Sequence, residues 1–209
     1  EKTILFDTGG NGTILLKNMN RIGINVSEID VVVLSHIHAD HTGGLYELLK
    51  VNRKFTIYLP KSFPASFKNW VKDYGTKVIE VSDPLEICKG VYSTGEMGEW
   101  VREQSLIINT NKGIIVITGC AHPGITKIVK KAKYLMKNNV LLVIGGFHLF
   151  GKSYEELNCI VNTFKEINVS YVGPCHCTGD NAMELFKKEY KNKFIEVGVG
   201  KIIKVKDLE

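Results

Sequence analysis

The chain has 209 residues, 44% apolar and 23% charged, which is the balance of a globular protein and excludes a disordered, collagenous or coiled-coil chain. No apolar run approaches the roughly 18–20 residues a membrane helix needs, so no membrane partner is expected. Its 27 Lys/Arg against 22 Asp/Glu give a net charge of +5, with the lysines scattered, which suits an anionic small molecule and argues against a nucleic-acid surface.

The chain starts without Met in "KTILFDTGG", which already reads as a strand. It is therefore expected to be the larger part of a longer polypeptide, its missing N-terminal segment supplied ahead of Glu1 or as a separate chain. In chain order, strands are predicted at Ile4–Phe6, Val31–Leu34, Phe55–Leu59, Lys77–Val81, Ser105–Thr110, Ile114–Thr118, Val140–Ile144 and Tyr171–Gly173. Several (VVVL, IIVIT, LLVIG) are apolar at every position, the pattern of strands covered on both faces. Thr110-Asn111-Lys112-Gly113 reads as a hairpin turn. Helices are predicted at Gly43–Lys50, Ala65–Tyr74, Ile125–Lys137, Glu155–Ile167 and Asn181–Lys188, with Ser62 and Ser153 as caps. No repeat or linker divides residues 1–209, so one domain of the α/β or α+β class is expected. Five cysteines, an odd number without framework spacing, fit a reduced cytoplasmic location.

All six histidines fall in four strand-end segments: "SHIHADHTGG" from Ser35, "TGCAHPG" from Thr118, "IGGFHL" from Ile144 and "GPCHCTGD" from Gly173. His36 and His38 are two apart, so on extended chain they point the same way and can share one metal ion. Asp40 and His41 follow as the chain turns into a helix and can serve a second ion. Imidazole and carboxylate suit zinc first, with iron or manganese also accepted. Further ligands must come from elsewhere, and His122 and His176 are the natural completions, one per ion. His148 reads as a ligand or as a substrate-facing side chain. Cys175 and Cys177 are expected to face away from His176 and pack, and Cys159 to lie in the core. Glu96, Glu103 and Gln104 read as a solvated loop or as a border of the site. Phe63, Phe67, Trp70 and Tyr74 have the spacing of a helical packing stripe.

The H-x-H-x-D-H string at His36–His41, with "FDTGG" upstream and "ITGCAHPG" downstream, resembles the metallo-β-lactamase superfamily. "LSHIHADHTGGL", "TGCAHPGI", "IGGFHL" and "PCHCTG" together resemble its dihydropterin ribofuranosylaminobenzene phosphate synthase-like branch. The resemblance implies an α+β fold, an αββα sandwich of two mixed sheets with metals at one edge, here without the family's first strands. It implies that His36, His38 and His122 hold one ion and Asp40, His41 and His176 the other. Where relatives often carry a bridging Asp, this chain has Cys120, which is expected to lie beside the ions without ligating them. The chemistry implied is hydrolysis by metal-bound hydroxide, with Asp40 and His148 as catalytic candidates. Helices starting near His41, Pro123 and Thr178 would direct partial positive charge at the site, favouring anionic esters, phosphates among them. A di-iron redox protein and a non-catalytic metal-binding module remain as alternatives.

Overall fold

Val31, Val32 and Val33 are all buried because both faces of their strand are covered. In the computed structural model, which describes residues 2–208, Val32 and Leu34 pack outward against helices. Val31 and Val33 point the other way, into the space between two sheets. The period of two along one strand thus separates an outer core from an inner one.

The first sheet has the order β1 (Ile4–Phe6), β2 (Val31–Val33), β3 (Thr56–Pro60), β4 (Lys77–Val81). All its pairings are parallel, so the expected mixed pairing is absent from this sheet among the described residues. Parallel neighbours need crossovers, and α1 (Gly12–Arg21), α3 (Leu45–Val51) and α4 (Ala65–Asp73) provide them. Leu45, Leu48, Leu49, Phe63 and Val71 from this layer are buried with Val32, Leu34, Ile57 and Leu59. The Phe63–Tyr74 stripe packs here as read from its spacing.

The second sheet has six strands. Leu85–Cys88 (β5), Val91–Ser93 (β6), Leu106–Thr110 (β7) and Gly113–Thr118 (β8) run antiparallel in turn; Val140–Gly146 (β9) and Tyr171–Cys175 (β10) then extend it in parallel. Outside it lie α5 (Ile125–Met136), α6 (Tyr154–Ile167) and α7 (Asp180–Tyr190), sharing a core that includes Val116, Val129, Val143, Phe147, Phe164 and Phe186. The αββα sandwich follows. Gln104 joins its two sheets: the side-chain amide donates to Leu34 O (2.9 Å) and Tyr58 O (3.3 Å) and accepts from Ser93 Oγ (2.6 Å). Gln104 is fully buried and Glu103 nearly so, which overturns the reading of this stretch as a solvated loop.

Ser153 caps α6 in a reciprocal capping box with Glu156. Ser62 caps nothing; Pro64 precedes α4 without a side-chain bond, and Ser62 N–H donates instead to Glu96 (2.7 Å). The expectations did not include α1, capped by the Asn11 side chain, the single helical turn α2 (Ala39–Thr42) or the β5–β6 hairpin. The predicted helix at Gly43–Lys50 is α3, which runs from Leu45 to Val51. No helix among the described residues is long and apolar enough to cross a membrane.

Candidate metal centre

The "SHIHADH" stretch leaves β2 at the sheet edge, and one carboxylate fixes how. Asp7 accepts from Ser35 N–H and from Ser35 Oγ–H, both at 2.7 Å, and its Oδ2 lies 2.7 Å from His41 Nδ1. The Ser35 hydroxyl, its proton given to Asp7, accepts from His36 Nδ1–H at 2.9 Å. These roles leave Nε2 of His36 unprotonated, and that of His41 likewise when its ring is neutral, with a lone pair for a metal.

His36 Nε2 lies 3.1 Å from His38 Nδ1. Two nitrogens on one tetrahedral zinc ion stand roughly 3.4 Å apart at Zn–N of about 2.05 Å, so this approach fits shared ligation. His122 completes a group with His36 and His38 whose donor atoms lie within 4.8 Å of one another. Its Nε2 is buried and has no hydrogen-bond partner, an orphan of the kind a cation satisfies. Burial, then the neighbouring His41, His122 and His38 charges, push His36 down to about 2. Burial and the His148 charge push His122 down to about 4. Both rings are therefore neutral at pH 7, the form that binds metal.

A second group gathers Asp40, His41, Cys120 and His176. Asp40 Oδ2 lies 3.3 Å from His41 Nε2 and 3.2 Å from His176 Nε2, and Cys120 Sγ lies 3.2 Å from His41 Nε2. Burial pushes Asp40 up, but the His41 and His176 charges outweigh it and hold the carboxyl below its ordinary range. Burial lowers His41, and the Asp7 hydrogen bond and charge more than reverse it. The structure thus gathers His36, His38 and His122 in one set and Asp40, His41 and His176, with Cys120, in another.

The turn carrying Cys120 and His122 is held from below. Buried Glu103 accepts four backbone N–H groups: Gly119 and Cys120 at 3.1 Å, Ala121 at 2.9 Å and His122 at 3.0 Å. Burial still pushes its carboxyl above the ordinary range. Gly119 permits a close approach here, since a Cβ would collide with the Ser35 side chain. Seven non-glycine residues among those described have positive φ. Lys137, Asn168 and Lys191 end helices; the other four, Asp7, Ala121, His148 and His176 (φ 51–60°), all belong to this centre. Such backbone costs about 1 kcal/mol or more per residue and persists where the surroundings over-determine it.

The sequence model of the metallo-beta-lactamase superfamily matches residues 1–125. The chain is 32% identical to 7,8-dihydropterin-6-methyl-4-(beta-D-ribofuranosyl)-aminobenzene-5'-phosphate synthase of Methanocaldococcus jannaschii, across 98% of this chain and 85% of that protein. This chain belongs to the metallo-beta-lactamase superfamily. A crystal structure of a metal-dependent hydrolase of the beta-lactamase superfamily superposes with a TM-score of 0.82 at 30% identity, over 97% of this chain and 89% of that one. A metallo-beta-lactamase fold protein from Bacillus subtilis, 18% identical with a TM-score of 0.65 over 91% of this chain and 81% of its own, shares the fold.

Within this superfamily fold the structure corrects several expectations. His41 lies inside the one-turn α2 rather than ahead of a helix. Pro123 sits in a turn before Gly124, the N-cap of α5. Neither Thr178 nor Asp180 caps α7: Gly179 precedes it, Asp180 is its first residue, and Thr178 Oγ bonds Cys175 O and Phe147 N–H. Cys159 is exposed, not core. Cys177 does not turn away to pack; its sulfur lies with Cys120 and His148. The sequence marks Asp7 only through the "FDTGG" string and Glu103 only as a loop or site-border residue; the acceptor role of each comes from the structure.

Two cavities of about 430 Å³ each open beside the donors. One is lined by His122, Pro123, Trp100, Met97, Val101 and Lys127, among others. The other is lined by His148, Phe150, His176, Cys177 and Gly179. Trp100 and Phe150 are 98% and 87% exposed.

Proposed function

We propose that this protein is a metal-dependent hydrolase acting on an anionic ester, with phosphate esters as the leading class. The observation that carries this reading is the pairing of two adjacent donor sets, one of which includes the buried and unpartnered His122 Nε2. His36, His38 and His122 would hold one divalent transition-metal ion, zinc first, and Asp40, His41 and His176 a second. When bound, such ions supply Lewis acidity toward an ester oxygen and lower the pKa of water to about 7.

The chain's own groups do the rest. Asp7 holds the His41 ring so that Nε2 faces Asp40. The Asp40 side chain, 53% exposed, lies on the open side of the centre, where it can orient an attacking water and take its proton. The cavity beside His122 carries Lys127 and Glu99, so the preference for an anion rests on the metal ions themselves and on the net charge of +5. The starts of α5 and α7 add to this, since neither has a side-chain cap over its free N–H groups. The M. jannaschii relative is named for a phosphate-bearing product, which supports phosphate within the anionic class.

The test is metal content and turnover together. Elemental analysis of wild type, His38→Ala and His176→Ala should show up to two ions in the first and fewer in each variant. Metal-replete wild type should hydrolyse members of a panel of phosphate monoesters, diesters and lactones, with competition by inorganic phosphate. Full metal loading with no turnover on any ester would overturn the hydrolase reading. Undiminished metal in both variants would overturn the ligand assignment.

A further inference from the structure

The proposed hydrolysis leaves unused a third cluster at the same sheet edge. Cys120, His148 and Cys177 bring two sulfurs and a ring nitrogen within 4.8 Å of one another. We propose that Cys120, His148 and Cys177 form a separate site for a thiophilic cation, zinc(II) or copper(I), that ties together the tips of β8, β9 and β10.

Strand register places the three side chains together. Strands β8, β9 and β10 are neighbours and parallel, with Thr118 beside Gly145 and Gly146 beside Cys175. They end at Thr118, Gly146 and Cys175, and each donor lies two residues past the end of its strand. Equal offsets on adjacent parallel strands bring three side chains to one line along the sheet edge. The middle strand leaves room for the outer two to meet. A Cβ on Gly146 would stand 2.8 Å from Cys177 Sγ and 3.2 Å from Cys120 Cα, so the absent side chain makes the space that the sulfur fills. His148 reaches the cluster from left-handed backbone at φ 51°, a conformation a histidine holds only under constraint.

The separation fits a shared cation. Thiolates on one tetrahedral zinc ion lie roughly 3.8 Å apart at Zn–S of about 2.3 Å, inside the observed 4.8 Å limit, and both Cys120 and Cys177 are free thiols. Cys177 Sγ makes a long hydrogen bond, 3.7 Å to Cys120 O, and is also held by hydrogen bonds with the Cys120 and His148 side chains and the His148 backbone. Two sulfurs and one imidazole with no carboxylate select a soft or borderline ion over magnesium, calcium or manganese. Cys120 also touches His41. Its seat in the sulfur site leaves Asp40, His41 and His176 to the second ion. Because Cys177 follows His176 directly and Cys120 is two residues from His122, the sulfur site would also fix the two loops that bring those histidines in.

The test uses reduced full-length chain and cadmium(II) as a thiophilic probe. Cadmium should raise a sulfur-to-metal charge-transfer absorption and slow alkylation of Cys177 by iodoacetamide at least tenfold, read by peptide mass mapping. Both effects should persist in His38→Ala and in His176→Ala, which disturb the other two sets. Cys177→Ser should lose half or more of the absorption while keeping the wild-type circular dichroism. If Cys177→Ser does not fold, the alkylation result in wild type and His176→Ala decides alone. Equal alkylation with and without cadmium would overturn the proposal. So would protection that disappears in His176→Ala, since the thiol would then serve the Asp40 set. Neither outcome depends on the ester reading, which is judged by turnover.

Discussion

The four-stranded sheet delivers its donors on one stretch, His36 to His41, directly off the end of β2. The six-stranded sheet delivers one donor group per strand tip, from the loops after β8, β9 and β10. On the first side the histidines have ordinary backbone and one strained residue, Asp7, holds them from behind. On the second, Ala121, His148 and His176 are themselves in left-handed backbone, and buried Glu103 stands behind only one of the three loops. A contiguous donor string can be oriented by a single acceptor. Dispersed donors each need local constraint, so the second side stores more strain and has more ways to fail.

The largest expected effect comes from removing the constraint on that side. Glu103→Ala leaves three buried N–H groups and one part-buried one unpaired, and at roughly 1–3 kcal/mol for each buried group the loss of stability should be at least about 3 kcal/mol. Urea unfolding of the metal-free protein reads it. Glu103→Gln keeps an acceptor for part of the set and should fall between. A loss below about 1 kcal/mol for the alanine variant would mean that water or a rearranged turn satisfies these groups and that Glu103 does not hold the loop.

The matching change on the first side is Asp7→Asn. Asparagine keeps one acceptor oxygen for Ser35 but presents an amide toward His41 or the Ser35 hydroxyl, disturbing the tautomers that free both Nε2 atoms. Stability should drop less than for Glu103→Ala. Affinity for the ion on Asp40, His41 and His176 should fall roughly 10–100-fold, the range for lost partners of metal ligands. Chelator competition on wild type and variant measures this, and equal affinities would show that Asp7 does not set the ring.

The same contrast explains what could be read in advance. Three His and one Asp in six residues after a buried strand reveal a ligand string by spacing alone. Asp7 escaped because its partners Ser35 and His41 are 28 and 34 positions away. Glu103 escaped because it binds backbone N–H groups, which leave no mark on the sequence, and because a Glu beside Arg102 and Gln104 reads as surface. Helix α1 was legible, since Leu15, Leu16 and Met19 share a helical face and pack on the outer core of the first sheet, although only Gly12 and Met19 are fully buried. The equal two-residue offset of Cys120, His148 and Cys177 becomes visible only once β8, β9 and β10 are known to be adjacent. Alternating His-Cys spacing pointed Cys177 away from the site; the turn at His176, φ 54°, breaks that alternation.

Acid should separate the two sides further in the metal-free protein. His36, fully buried on the first side, is held near 2, and His122 on the second near 4, against 6.5 unfolded. Groups with depressed values favour the fold above the unfolded pKa, and that stability is lost as pH falls through the folded one. Below about pH 6.5 the slope for His36 alone approaches about 1.4 kcal/mol per pH unit. His41 has the opposite sign: its value is raised, so its contribution is complete below 6.5 and fades as pH rises through its folded value. The large depressions of His36 and His122, opposed by the raised His41 and Glu103 groups, predict a melting temperature in chelator that drops from pH 7 to pH 5. His122→Ala should flatten only the part above about pH 4 that His122 carries. A melting temperature unchanged over this range would contradict the neutral, buried state of His36.

The smallest effect on stability is expected at Trp100, and it bears on why the cavities lie on the second side. Its ring is 98% exposed, so Trp100→Ala removes almost no buried surface and should change stability by less than about 0.5 kcal/mol. A large apolar ring left in water beside His122 and Lys127 has little reason to be there for folding. Stacked on bound substrate it would be covered, contributing on the order of 1 kcal/mol or more. If the proposed ester hydrolysis is found, the variant should therefore raise KM several-fold with kcat little changed, because the ring supplies contact area and is not one of the candidate metal ligands. Equal KM in wild type and Trp100→Ala would place substrate instead in the cavity lined by Phe150 and His176, and Phe150→Ala would then carry the effect.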